Sequence, residues 1–329
     1  MEKSGVTLND VKAAAKRIAP YVRRTPLLRE NLMDKKLKCE VYLKPEMLQV
    51  TGAFKLRGAM SKILSLTKEE QARGIITSSS GNHAQACAYA GQLLEIKAVV
   101  VVPENTPPLK IENARAMGAE VILWDRKYAE RWKKVRAEVA EHNYTIVHPY
   151  EDFTVMAGQG TIGLEILEDL PDVETVLVPI GGGGLISGIS TAIKATNPNI
   201  RVIGVQVAAS AAYAASRKAG KPIAVEPTPT IADGLTCTRP GENPYPIIEK
   251  LVDDIVAVSE EDLREAVKIV GSDAKLVAEP SACVGIAALL GGNVSVRPNE
   301  KVCTVLTSGN WDIDMIARIY KKEHVDGIL

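Results

Sequence analysis

The run Thr175-Val176-Leu177-Val178-Pro179-Ile180-Gly181-Gly182-Gly183-Gly184-Leu185 decides how this chain is read. Residues 175–180 carry no charge and read as a strand buried on both faces, as in a parallel sheet. The glycines end it, and residues 185–196 continue as a helix. A helix entered this way turns its unpaired N–H groups and the positive end of its dipole toward an anion. Glycine lets the backbone wrap a phosphate with no side chain in the way. A tight turn alone accounts for one or two glycines, not four. The run is not G-x-x-x-x-G-K-[ST], no lysine follows, and Ile186 fills the sixth place of G-x-G-x-x-G. It predicts a seat for one phosphate, not for a dinucleotide. Residues 175–193 are also long enough to span a bilayer, but Pro179 and the four glycines would leave backbone groups unsatisfied in lipid.

Working outward, strand-like runs alternate with helical ones. Strands are expected at 40–44, 74–77, 97–102, 120–124, 144–148, 201–207, 254–258 and 301–306. Helices are expected at 8–18, 83–94, 108–117, 127–143, 158–169, 208–219, 259–271, 280–290 and 312–323, with an extended loop over 221–246. Such alternation indicates β-α-β units on parallel sheets. The fold class is therefore α/β, with two open parallel-sheet lobes and a cleft between them.

Composition narrows the function. The chain has 329 residues, 46% hydrophobic and 24% charged, values ordinary for a soluble globular protein. Forty basic residues balance forty acidic ones, so no field recruits nucleic acid or an anionic membrane. The start, Met1-Glu2-Lys3-Ser4, has no apolar core behind it, so no signal peptide is expected. The five cysteines are odd in number and form no C-x-x-C pair, which indicates neither a zinc site nor a disulfide framework and fits a reducing cytoplasm. Cys303, in an apolar run, reads as a small core residue.

Two further stretches carry chemistry. In Thr51-Gly52-Ala53-Phe54-Lys55-Leu56-Arg57-Gly58-Ala59, a lysine sits between Phe54 and Leu56. Desolvation beside apolar surface disfavours the charged amine and makes it available as nucleophile or base, as a lysine that joins an aldehyde requires. In Thr77-Ser78-Ser79-Ser80-Gly81-Asn82-His83-Ala84-Gln85, serines and a glycine again link a strand to a helix and offer donors to a second anion, such as a substrate carboxylate.

Lysine, serine-glycine-asparagine loop and tetraglycine turn, in this order, resemble the fold-type II pyridoxal-phosphate enzymes, in particular the serine/threonine dehydratase and serine racemase family. The resemblance spans nearly the whole chain. Lys44-Pro45-Glu46, Ala232-Asp233-Gly234, Arg239-Pro240-Gly241, Val252-Asp253-Asp254 and Glu279-Pro280-Ser281-Ala282 match further family segments.

The resemblance implies pyridoxal 5′-phosphate as cofactor, carried by Lys55 with Phe54 against its ring. It implies Asn82 at the ring hydroxyl, and Gly181, Gly182, Gly183, Gly184 and Leu185 at the phosphate. Gly234 and Glu279 are implied as further cofactor contacts, and Thr307 as a neutral hydroxyl facing the ring nitrogen. Ser79, Ser80, Gly81, Asn82 and His83 are implied as the substrate-carboxylate site. It also implies a large cofactor-binding domain of residues 1–51 and 151–329, a small mobile domain of 52–150, and a homodimer.

The implied reaction is α,β-elimination from a β-hydroxy amino acid (L-threonine, L-serine or a bulkier one), giving a 2-oxo acid and ammonia. Lys55 is implied as the base at the α-carbon, and the cofactor phosphate as the acid for the departing hydroxyl. Racemisation is the alternative, with Ser80 as the proton carrier opposite Lys55; a non-catalytic cofactor-binding protein is the alternative of another class. Departures from the pattern are Ala53, where a serine is frequent, and Gln206 and Ala212, where metal-dependent members carry Glu and Asp; no metal is expected. Trp311 is expected to reshape the substrate pocket. The end at Leu329 leaves no room for a regulatory domain, so isoleucine feedback is not expected.

Overall fold

The computed structural model describes residues 5–106 and 108–321. Its ten strands are β1 (Leu28–Arg29), β2 (Glu40–Pro45), β3 (Ile75–Ser78), β4 (Ala98–Pro103), β5 (Glu120–Trp124), β6 (Thr145–Ile146), β7 (Thr175–Pro179), β8 (Arg201–Val207), β9 (Asp254–Val258) and β10 (Lys301–Leu306). They form a six-stranded sheet in the order β1-β2-β10-β7-β8-β9 and a four-stranded sheet in the order β5-β4-β3-β6. Every pairing is parallel except β1 with β2. The central strands are buried on both faces, as β7 and β4 show, because helices cover the sheets on either side. Cys303 is fully buried in a hydrophobic core on the six-stranded sheet.

The helix expected from 158 begins at Phe153, because Asp152 Oδ1 accepts from Thr154 N (2.7 Å) and Val155 N (3.1 Å) and starts it five residues early. The expected 208–219 and 280–290 helices each open with a 3-10 turn, Ala208–Ser210 and Pro280–Ala282, before Ala212–Ala219 and Val284–Leu290. The supposed loop over 221–246 holds a short turn at Asp233–Leu235 and the start of a helix, Pro244–Leu251. Its prolines sit in the first turn, where no N–H is needed. Helices Asn31–Leu37, Lys55–Ile63 and Lys68–Arg73 were not foreseen. The last described helix is Ile313–Tyr320, and residues 322 and 323 of the expected one lie outside the described residues.

Two features fix the lysine-bearing helix Lys55–Ile63. Helix Phe153–Asp169 packs so close to it that a Cβ at Gly158 would lie 2.5 Å from Arg57 O. Next to that contact lies a buried ion network. Arg57 donates to Glu46 Oε2 at 2.7 Å and to Glu165 Oε1 at 2.6 Å, while Lys44 pairs with Glu165 Oε2 at 2.6 Å. Two cations meet two carboxylates, and Thr25 supplies Oγ1 to Glu46 (2.6 Å) and its carbonyl to Lys44 (2.7 Å). Charges this deeply buried survive only when paired and hydrogen-bonded, as these are. Arg57 stands two residues from Lys55, so the network holds the helix start in place.

Candidate active site

Lys55 is the first residue of its helix and only partly exposed. Its Nζ donates to Pro149 O at 3.1 Å and lies 5.1 Å from the centre of the Phe54 ring. Desolvation pulls the amine down from 10.5 to about 8, against the opposing pull of Cys237, Cys87 and Glu279. The residues before it are clipped to the end of β10: Phe54 N–H donates to Thr307 O and Gly309 N–H to Gly52 O, both at 3.0 Å, with Ala53 bridging to Ser308. Thr307 is thereby set beside Phe54 and Lys55.

From Pro149 the chain runs into Tyr150, whose ring covers the tetraglycine turn; a Cβ at Gly182 would fall 2.2 Å from Tyr150 Cδ1. Gly183 has φ +96°, and a Cβ there would lie 2.2 Å from the Tyr213 hydroxyl. That hydroxyl donates to Gly182 O (2.9 Å) and accepts from Gly241 N (3.0 Å), bracing the turn from outside. The first helical bond runs from Ser187 N to Gly183 O, so the amides upstream precede the intrahelical ladder. Gly181 packs on Gly234 O, and Gly234 N–H donates to Ser281 Oγ at 3.0 Å, two residues after Glu279.

In the serine loop, Gly81 N–H donates to Ser79 Oγ at 3.3 Å, and helix Asn82–Leu93 begins immediately after. Asn82 Nδ2 donates to Glu279 Oε1 (3.2 Å) and Oε2 (3.3 Å), and its Oδ1 accepts from Asn310 Nδ2 at 2.9 Å. Ser80 is half-buried. The His83 ring turns away from the loop: its Nε2 lies 2.9 Å from Val147 O, and burial, reinforced by the Lys55 charge, pulls it down to about 3. It is neutral and donates to that carbonyl, so only its backbone can face an anion at the loop. Glu279 moves the other way, to about 7, because burial and the Asp233 charge outweigh the hydrogen bonds from Ser308 and Asn82.

Contacts thus link Lys55, Phe54, Asn82, Gly181, Gly182, Gly234, Glu279 and Thr307 into one cluster. Residues the sequence reading missed stand with them. Asn310 also donates to Thr51 O (2.7 Å) and Gln85 Oε1 (3.3 Å), tying the serine-loop helix to the strand end. His148 stacks on Trp132 at 4.4 Å, and Tyr150 Oη lies 2.7 Å from Tyr128 Oη. Cys237 is close enough for the Lys55 charge to act on its thiol, which burial pushes up to about 11. No local pattern marks these residues, although Asn310 lies three places after Thr307. Trp311 is partly buried and packs against the core of the larger lobe. Gln206 spends its amide on backbone, accepting from Ala214 N at 3.0 Å and donating to Ser210 O at 3.4 Å.

A pyridoxal-phosphate group fits these residues. The turn's upstream amides precede the helical ladder while its glycines are packed from outside by Tyr150, Tyr213 and Gly234, the amine is deprotonated more readily than an ordinary lysine, and the hydroxyl of Thr307 is neutral. The sequence pattern of the family "Pyridoxal-phosphate dependent enzyme" matches residues 18–308, and the chain belongs to that family. Among its relatives, the L-threonine ammonia-lyase of Thermotoga maritima is 44% identical over 96% of this chain and 79% of that protein. The structure of maize serine racemase superposes with a TM-score of 0.92 at 36% identity, covering 97% of this chain and 98% of that one. The threonine deaminase of T.th. superposes with a TM-score of 0.87 at 42% identity, over 93% of this chain and 99% of that one. The chain is thus a pyridoxal-phosphate-dependent lyase with two parallel-sheet lobes.

Proposed function

We propose that this enzyme eliminates water from a β-hydroxy amino acid, L-threonine first, and that hydrolysis of the released imine takes a water back and frees ammonia, so that the net products are a 2-oxo acid and ammonia. The observation that carries the reading is the Lys55 amine, lowered to about 8 beside the glycine turn and the serine loop. The bound cofactor supplies an electron-withdrawing ring for the α-carbon and a phosphate for the turn. The chain supplies the rest. Gly181, Gly182, Gly183, Gly184 and Leu185 hold the phosphate with backbone N–H groups. Ser79, Ser80, Gly81, Asn82 and the His83 backbone receive the substrate carboxylate at the start of a helix. Lys55 takes the α-proton. Asn82 orients the ring hydroxyl and Phe54 packs the ring, with Gly234 and Glu279 behind them. Thr307 offers a neutral hydroxyl to the ring nitrogen, which restrains the ring as an electron sink and favours β-elimination. Residues 52–150 would act as the small mobile domain against 1–51 and 151–329. A homodimer in a reducing cytoplasm is the assembly that family resemblance and the five unpaired cysteines support; light scattering tests the first. Among the described residues no helix is long and apolar enough to cross a membrane.

Racemisation is the second reading, favoured by a hydroxyl at Ser80 and by the likeness to maize serine racemase. The test is oxo-acid formation from L-threonine, L-serine and bulkier 3-hydroxy amino acids, with chiral analysis of the residual substrate. Oxo acid from at least one supports dehydration. D-isomer with little oxo acid would reverse the order of the two readings.

A further inference from the structure

Three side chains at the end of β10 form a line that the roles above leave unused. Ser308 is 1% exposed, Thr307 5% and Glu279 4%. Ser308 Oγ donates to Glu279 Oε1 in a short hydrogen bond and lies 3.4 Å from Thr307 Oγ1. Glu279 N–H is pinned to Ser308 O at 3.0 Å, which holds carboxyl and hydroxyl in register. The line therefore runs Glu279, Ser308, Thr307, and its last hydroxyl is the one placed at the ring nitrogen above.

We propose that Ser308 is a relay between the Glu279 carboxyl and the Thr307 hydroxyl, so that the carboxyl decides whether Thr307 presents a hydrogen or a lone pair to the ring nitrogen. The inference rests on the proposed placement of Thr307. A hydroxyl has one hydrogen to give, and an ionised carboxylate can only accept. When Glu279 is ionised, Ser308 gives its hydrogen to the carboxylate and can only accept from Thr307, whose outward side then shows lone pairs. Those suit a protonated nitrogen. When Glu279 is protonated, it donates to Ser308, Ser308 donates to Thr307, and Thr307 donates outward to an unprotonated nitrogen. When Glu279 ionises, its proton goes to water and the line reverses: Ser308 turns its hydrogen from Thr307 to the carboxylate, and Thr307 turns its hydrogen from the nitrogen to Ser308. One proton is released to solvent, no covalent O–H bond of either hydroxyl is broken, and no electrons are transferred.

The groups facing Glu279 make its state variable near neutrality. Asp233 disfavours its charge, while Lys110 (paired with Asp233 at 3.6 Å), Asn82 and Ser308 favour it. Lys55 senses its charge from the cleft side and Cys283 from the following turn. Their balance sets the carboxyl at about 7.

The test is a pH titration of the visible absorbance of cofactor-loaded protein, with the nitrogen-15 shift of labelled cofactor as a second readout, in wild type, Ser308→Ala, Ser308→Gly, Glu279→Gln, Thr307→Ala and Thr307→Ser. The expected result is a transition with midpoint at about 7 in wild type and Thr307→Ser. It should be lost, or moved by at least about one pH unit, in both Ser308 variants and in Glu279→Gln, with the cofactor still bound. A Ser308 hydroxyl that only supports packing would lower stability or cofactor affinity and leave the midpoint in place, which overturns the relay. Thr307→Ala separates the two levels. If it changes the spectrum while Ser308→Ala does not, the relay fails and the placement of Thr307 stands. If it changes nothing at any pH, both fall.

Discussion

Replacing Gly183 by alanine would disturb the phosphate turn by two additive physical effects. Gly183 sits at φ +96°, where a residue with a Cβ is strained, at a cost of about 1–2 kcal/mol. The new methyl would also lie 2.2 Å from the Tyr213 hydroxyl, 2.7 Å from Pro244 Cβ and 2.9 Å from Ile248 Cδ1. All three are packed, and such overfilling costs a further ~1–3 kcal/mol. The total of roughly 2–5 kcal/mol corresponds to about 30-fold to a few thousand-fold in an equilibrium constant. It should be divided between folding and cofactor binding, since the turn can relax only by giving up its cradle. Gly220→Ala is the control: Gly220 has φ +66° but nothing within 4 Å of a Cβ, so only the backbone effect of ~1–2 kcal/mol remains. Urea unfolding of the apoprotein and titration with pyridoxal phosphate, followed by absorbance, measure both shares. If Gly183→Ala were as mild as Gly220→Ala in both assays, the turn would be neither packed nor engaged with the phosphate.

The Lys55 amine is depressed from 10.5 to about 8, so charging it penalises the native apoprotein as pH falls through that window. Lys55→Met should thus match wild type above pH 10.5 and exceed it by up to about 3 kcal/mol below pH 8; a pH-independent difference in urea midpoint contradicts this. His83 and His148 are both held at about 3 by burial, so the stability of their neutral forms is present above 6.5 and lost as pH falls toward 3. Each contributes roughly 4–5 kcal/mol; a thermal midpoint that stays flat over that range refutes it. Glu46→Gln leaves Arg57 short of a charge in the buried network, and unfolding should lose about 3–5 kcal/mol. A loss under about 1 kcal/mol would show that water reaches the network.

The alternation of strands and helices was legible because parallel strands buried on both faces leave nearly continuous apolar runs, such as Ala98–Pro103. Helix Lys68–Arg73 left no such trace: it buries no residue, and only its Thr67–Glu70 capping box announces it. Helix Asn31–Leu37 lacks a side-chain cap, and Pro244–Leu251 hides in proline-rich sequence. In the site, Lys55 and the four glycines were legible because their chemistry needs neighbours in sequence. Asn82 and Asn310 meet across 228 positions, so their pairing exists only once the two sheets have packed, and Tyr128 and Tyr150 meet across 22, once the helix after β5 has folded back on the chain after β6.

The central claim is that residue 55 carries the cofactor. Borohydride reduction of the purified protein, followed by peptide mapping in a mass spectrometer, addresses it without reference to any substrate. A pyridoxyl phosphate adduct on the Lys55 peptide is the expected result, with Lys55→Met left unlabelled. An adduct on another lysine, or none after the protein has been supplied with pyridoxal phosphate, would contradict the account.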